Sequence, residues 1–520
     1  SNVAVGANAL DAATTADNNT AIGFNSGSEI TTGANNTILG ASALDALTTG
    51  SYNVAVGYRA LTLATTSSNN TAVGNDALLL NTTGSNNTAV GRTAMLANTT
   101  GASNTAVGSL CLDSNTTGSQ NTAIGLFALQ ANTTANNNVA VGYKALELNT
   151  TGTVNTAVGQ NALTNNTTAN ANTAVGTTCM ESNTTGTENT AIGQSSLKAN
   201  TTGSYNTAVG RTALFANTTG TNNTAIGLQA GQTQTTANAC TWLGVEAGRD
   251  NTVNDNVGIG SGCMRLNTTG TRNTAVGTGV YGSTHGALSA NTTGTRNTAF
   301  GNQALLNNTT ANNNTAIGAE TLLANTTGEG NTAVGSGALD ACTTGTRHTA
   351  IGVAALGAVT TGIDNVGVGY SAGYNLTTGS NNILLGKDSG AVGANTNNSV
   401  VLGNSSIAAI RCQVQTISSL SDERDKTDIV ESTDGLNVIN LLKPKKFTWA
   451  MREPSDNNGK TELGFIAQDI DIALGDKNDY IHAVTKENPN KLEAAYGRFI
   501  PIMVKAIQEL SKKVTALEAG

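Results

Sequence analysis

Proline is absent from the first 420 residues of this chain; all four prolines (Pro444, Pro454, Pro489, Pro501) lie in the last 100. Charge is scarce over the same stretch. Residues 421–520 hold 31 of the 60 charged side chains, and the first 420 residues share the other 29. Aromatic residues are 3% of the chain, while glycine contributes 60 positions. Such a composition excludes an ordinary globular core unless a strict repeat supplies the order. The net charge of −8 leaves no basic patch, so nucleic acid is not an expected partner. No run approaches about 18 consecutive apolar residues, so membrane insertion is not expected either. No secretory signal is visible, but the opening SNVAVGANAL already lies inside a repeat. The natural N-terminus and any anchor are therefore expected upstream.

What is present keeps time. The glycine of an NTAVG phrase recurs every 17 residues from Gly6 to Gly244. One step then shortens to 16 (Gly260) and one lengthens to 24 (Gly277 to Gly301), before the beat resumes and runs to Gly403. These glycines mark 24 coils, and a fixed period of this kind means a solenoid. A coil is too short for two helices but suits two short strands and two bends. The predicted fold is therefore mainly β: a parallel β-solenoid or β-roll over 1–404. With rungs ~4.8 Å apart, the rod would be on the order of 110 Å long.

Strand alternation predicts one apolar ladder through Val90, Val107, Ile124, Val141 and Val158, joined by second-strand residues such as Met95 and Leu129. The small Ala and Gly positions would then face outward, where another chain could approach. A coil this thin encloses little apolar volume, so a homotrimer is expected. The NTT asparagines match a glycosylation acceptor but read better as amide ladders stacked from rung to rung. Cys111, Cys179 and Cys263 stand where Ala is usual and read as small buried substitutes. Cys240, Cys342 and Cys412 fit no metal spacing, so no metal, cofactor or disulfide is expected. The adjacent threonines of NTTG do not make the flat array an ice-binding surface needs, and coils without a regular Asp do not bind calcium.

After the beat ends, residues 405–420 read as a β linker, with an alternating strand over 407–418. Residues 421–520 are a different object. A helix is predicted over 427–442, a strand ending at Trp449, then a strand and helix over ELGFIAQDIDIAL. A final helix over about 496–518 carries Tyr496, Ile500, Met503, Ile507, Leu510, Val514 and Leu517 at alternating spacings of four and three. That is a coiled-coil seam.

Three ordered motifs stand in this segment: SDERDK from Ser421, GFIAQD from Gly464, and FIPIMVKAIQEL from Phe499. Together they resemble the intramolecular chaperone of phage endosialidases and tail spikes, peptidase family S74. The resemblance implies that the domain helps three β-rich chains assemble and then cuts itself away. It implies Ser421 as nucleophile, Lys426 as its base and Leu420–Ser421 as the scissile bond, with Asp422, Arg424, Gly464, Phe465 and Gln468 as supporting motif residues. Where this chain has Asp425, the family more often has an apolar residue. The spacing alone also allows a solvated helix start, with Ser421 as its N-cap and acids in the first turn. The repeat resembles the head β-roll of trimeric autotransporter adhesins, whose period is shorter.

The function this implies is a viral, bacteriophage-type tail fibre or spike, located in the virion and contacting a host cell-surface receptor, with a glycan among the candidates. The only enzymatic activity expected is serine autoproteolysis of the chain itself. A bacterial cell-surface adhesin with the same chaperone is the alternative. A glycan-degrading spike is disfavoured, because acids in the rod are sparse and fall at variable positions.

Overall fold

The computed structural model describes residues 1–279, 285–391, 393–407, 421–450, 459–486 and 492–520. They form two compact units, Ser1–Thr346 and Arg347–Gly520. Each coil contributes one strand of three residues, from β1 (Val3–Val5) to β24 (Val400–Leu402), and the repeat builds a parallel β-solenoid of 24 strands. In the first unit β1 to β20 (Thr332–Val334) pair in chain order, residue i beside i+17, as in Thr88–Thr105, Ala89–Ala106 and Val90–Val107. In the second unit β21 (Thr349–Ile351) to β24 pair in the same way. The short and long coils keep this register, with Leu243 beside Ile259 and Val276 beside Phe300.

The expected second strand does not form. Ala94 and Met95 are adjacent and both fully buried. A strand cannot achieve this, because its successive side chains point to opposite faces. The backbone turns instead, with Thr93 at φ 54° and Met95 at φ 52°. Such left-handed values cost a non-glycine residue on the order of 1–3 kcal/mol unless the surroundings enforce them. Here hydrogen bonds enforce them in both directions. The Thr93 N–H donates to Asn75 O of the preceding coil at 2.9 Å, and the Met95 N–H donates to Cys111 O of the following one at 3.1 Å.

The inward face also differs from expectation. Asn87 and Ala89 are buried, whereas Thr88 and Val90 are only half-buried and Val107 and Ile124 are exposed. Strand alternation therefore places Ala and Asn inside and the Val/Ile column outside; Val141 and Val158 follow the same rule. The reason is volume. In most coils the strand-centre Ala and the Leu or Met four residues after a repeat glycine are both fully buried, so the large side chain leaves the strand centre room for a methyl group. Where the centre is enlarged, that neighbour shrinks. Ile38, Trp242 and Leu384 replace Ala, and Gly27, Gly231 and Gly373 replace Leu in the preceding coil. A Cβ on those glycines would lie 2.7–2.8 Å from the enlarged side chain. The repeat glycine is required for a separate reason. Gly91 sits at φ 139°, and a Cβ there would lie 2.3 Å from Gly108 O.

Two amide ladders satisfy the buried bends. Asn36 donates through its backbone N–H and Nδ2 to Asn19 Oδ1 at 2.9 and 3.0 Å, and through Nδ2 to Gly50 O at 3.1 Å. On the NTT side, Asn98 Nδ2 donates to Asn81 Oδ1 at 2.7 Å and to Gly101 O at 3.0 Å. These carboxamides are enclosed in the coil, so the folded chain offers no acceptor nitrogen for a glycan at these positions. Cys111, Cys179 and Cys263 occupy Ala positions, and Cys240 and Cys342 occupy ladder positions. All five are buried and free. Burial pushes the Cys111 and Cys179 thiols up to about 12 and the other three up to about 11, which keeps them neutral. Cys412 lies outside the described residues.

The C-terminal segment is a small α+β arrangement. It contains α1 (Leu436–Ile439), an antiparallel pair β25 (Lys445–Thr448) and β26 (Thr461–Gly464), α2 (Ala467–Leu474) and α3 (Asn478–Ile481). A second antiparallel pair follows, β27 (Val484–Thr485) with β28 (Glu493–Ala494), and then α4 (Ile500–Glu518). Val438, Ile470, Leu474, Ile481, Phe499 and Ile502 make its core. The helix expected over 427–442 is reduced to α1. Thr, Ser and Asp in TDIVESTD compete for the backbone, and Ile429 and Val430 are exposed rather than packed. The strand expected over 407–418 lies, beyond Ile407, outside the described residues.

The volume exchange at Trp242 generates a local test. Trp242→Ala should destabilise its coils by about 3–5 kcal/mol, and Gly231→Leu should clash with the indole. Combined, the two should be less harmful than their sum, read by hydrogen exchange of amides in the adjoining coils. Simple additivity would contradict the packing rule.

Candidate functional site

At the start of the C-terminal segment, Asp422 caps a 3-10 turn over Glu423–Asp425, its Oδ1 accepting the Arg424 N–H at 2.9 Å. Asp422, not Ser421, is thus the cap. Arg424 folds back onto the same carboxylate, Nε to Oδ1 at 3.0 Å and Nη2 to Oδ2 at 2.5 Å. The guanidinium holds the Asp422 carboxyl below the usual carboxylate range, and this pairing takes both charges away from their neighbours. The turn ends at Lys426, whose N–H bonds Glu423 O at 3.1 Å. One turn is what a five-residue spacing needs to return a long side chain to its start. Lys426 Nζ stands 2.6 Å from Ser421 Oγ and donates to it.

A nucleophile and its base need a contact of this length, although here the amine donates the hydrogen bond. Taking a proton requires a neutral amine, and a lysine is neutralised by removal from water or by a neighbouring cation. Both residues are exposed here, and Arg424, the nearby cation, is committed to Asp422. The chain therefore brings the two side chains together at an exposed position. Leu420 lies outside the described residues.

The GFIAQD motif serves packing. Phe465 meets the Tyr496 ring edge-on at 5.6 Å, and its N–H donates to the Tyr496 hydroxyl at 3.0 Å. The same hydroxyl donates to Phe465 O at 3.1 Å. A Cβ on Gly464 would sit 2.9 Å from the Tyr496 hydroxyl oxygen, so glycine keeps the approach open. Gln468 is exposed on the first turn of α2. Among the described residues, none of these three is hydrogen-bonded to Ser421 or Lys426. Tyr496 lies in a 3-10 turn, ahead of α4, and anchors Phe465 rather than extending the seam. On α4, Ile502 and Ala506 face the core, while Ile500, Met503, Ile507, Leu510, Val514 and Leu517 are exposed. Pro501 occupies the first turn, where no N–H is needed.

Sequence reading missed the buried Asp434. It pairs with Lys477 Nζ, and the Tyr480 hydroxyl donates to its Oδ2 at 2.5 Å. Nearby, Glu509 of α4 accepts the Leu436 N–H at 2.9 Å and so caps α1. These partners are 43 to 73 residues away in the chain, beyond any local pattern.

Residues 421–476 match the Peptidase_S74 family, chaperone of endosialidase. The chain carries an S74 chaperone domain. No curated protein and no solved structure matches the chain. The family implies autoproteolytic serine peptidase activity, and the match begins at Ser421, the residue that Lys426 contacts.

The Asp434 cluster has a pH signature. Hydrogen bonds, first from Lys477 and then from Tyr480, hold its carboxyl below the usual range. A depressed folded value stabilises fully above the unfolded carboxylate value of about 3.9 and is lost as pH falls through the folded value. Unfolding of the C-terminal segment should therefore show an acid limb below about pH 4. Asp434→Asn should flatten that limb and cost about 1–3 kcal/mol at neutral pH. An unchanged acid limb in the variant would contradict the assignment.

Proposed function

We propose that this chain is the shaft of a bacteriophage-type tail fibre or spike, a homotrimer assembled by residues 421–520, which then cut themselves off at Leu420–Ser421. The observation that carries this reading is the Ser421–Lys426 contact at the first residue of the S74 match, in a chain that joins a β-solenoid to a segment ending in the exposed apolar seam of α4. In the proposed step, Ser421 Oγ attacks the Leu420 carbonyl carbon. Lys426 takes the hydroxyl proton and returns it to the Ser421 nitrogen as the C–N bond breaks. Water then hydrolyses the ester. The exposure of Lys426 in one chain gives the step a natural gate: copies packed around the segment would exclude water, neutralise the amine and so restrict cutting to assembled chains. Attachment of the fibre to a host-surface receptor is the role such a shaft would serve, and the S74 domain beside a solenoid is what supports it.

Ser421→Ala should leave an uncut, fully assembled chain. Lys426→Ala should slow processing by about 10²–10⁴-fold, the contribution of a positioned general base. Both are read by the mass of the products after expression. Processing of either variant at the unsubstituted rate would refute the dyad.

A further inference from the structure

The outward side of the strands is built to one rule. In the first unit the last residue of all 20 strands is Val, Ile, Leu or Phe, and the residue two earlier is Thr or Val. No charged side chain interrupts either column. Charges are placed elsewhere on the coil, in cross-rung or turn pairs such as Arg59–Asp76, Lys144–Glu147 and Lys198–Glu181. The apolar column is half-exposed or exposed at every rung, with Val107 at 37%, Ile192 at 41% and Phe300 at 57%.

Twenty rungs about 4.8 Å apart make a stripe on the order of 90 Å long. At a width of about 7 Å its area is on the order of 600 Å², as large as the largest apolar patch of an ordinary monomer. It also approaches the roughly 800 Å² per partner of a stable interface.

We propose that this Val/Ile/Leu/Phe stripe, and not the small-residue positions of the coil, is where copies of this chain pack together along the shaft. The inference rests on the multimeric fibre reading above. The occupant follows from periodicity. One apolar side chain per rung leaves a gap between rungs, and a dry fit needs a partner with the same spacing over the same length. A globular partner has no such repeat, whereas another copy of the same stripe has it by construction. The absence of charge fits self-association, because equivalent positions meet and any charge would face its own kind.

The test uses the full-length chain with Cys412→Ser, so that the remaining native cysteines are the five buried ones. One variant carries Val175→Cys on the stripe; the other carries Thr168→Cys on the exposed NTT turn of the preceding coil. A charged, water-soluble thiol reagent should label position 175 at least tenfold more slowly than position 168. A short bifunctional maleimide should join copies through 175 and not through 168. Val107→Cys against Thr100→Cys repeats the comparison if the first pair folds poorly. Equal labelling in a chain that sediments as a multimer would overturn the stripe and leave the multimer standing. A folded chain that sediments as a monomer would overturn both.

Discussion

Every coil of this protein depends on a partner seventeen residues away. The strand amides, the left-handed turns and the two asparagine ladders find hydrogen-bond partners in the next or previous rung, and the NTT asparagines add a bond to a carbonyl three residues on in their own coil. A buried carboxamide without a partner costs about 1–3 kcal/mol, so a single coil is not a stable object. Stability arises from stacking, as in any one-dimensional array. The ladders show this at their breaks. The Asn325 oxygen has no donor because Cys342 stands where the next asparagine would be, and the Asn217 oxygen has none because Gln234 turns toward Trp242.

The same constraint explains what the sequence could reveal. Period, coil number and parallel stacking are legible because one glycine per coil must pass within contact distance of the next, and nothing else fits. Stacking of the asparagines is legible from their recurrence in most coils. The inside and outside of the strand are the reverse of what the hydrophobicity of Val and Ala suggests, because the Leu or Met of the same coil leaves the inner position room for a methyl group only. A signal was available: Ile38, Trp242 and Leu384 each coincide with a glycine in place of Leu one coil earlier. The adjacent pair Ala94–Met95 likewise argues against a second strand. In the C-terminal segment the Ser421–Lys426 pair was legible through the resemblance of SDERDK to the S74 motif, whereas its spacing alone also allowed a solvated helix start; a single turn makes the contact. The Asp434–Lys477–Tyr480 and Glu509–Leu436 contacts, made between distant segments, were not.

The two kinds of sequence divide the labour between them. Near-identical coils specify their neighbours well but specify poorly which rung of one chain lies beside which rung of another. Such long, non-local β pairings form slowly and leave edges open while they do. The S74 segment is charged, locally folded and closed by a helix with an exposed apolar seam. On the proposed reading it would set a common starting rung for several chains before the coils pair. Cutting at Leu420–Ser421 would then leave a shaft held by kinetics as much as by equilibrium.

The central claim is that the solenoid needs residues 421–520 to form but not to persist. Two samples of residues 1–420 test it: one expressed as a chain ending at Leu420, the other released from the full-length chain by its own cleavage. Their covalent structure is the same, so sedimentation and thermal unfolding compare folding history alone. The account predicts a soluble, heat-resistant multimer from the cleaved sample and aggregated or heterogeneous material from the truncated one. Identical folded multimers from both routes would contradict it.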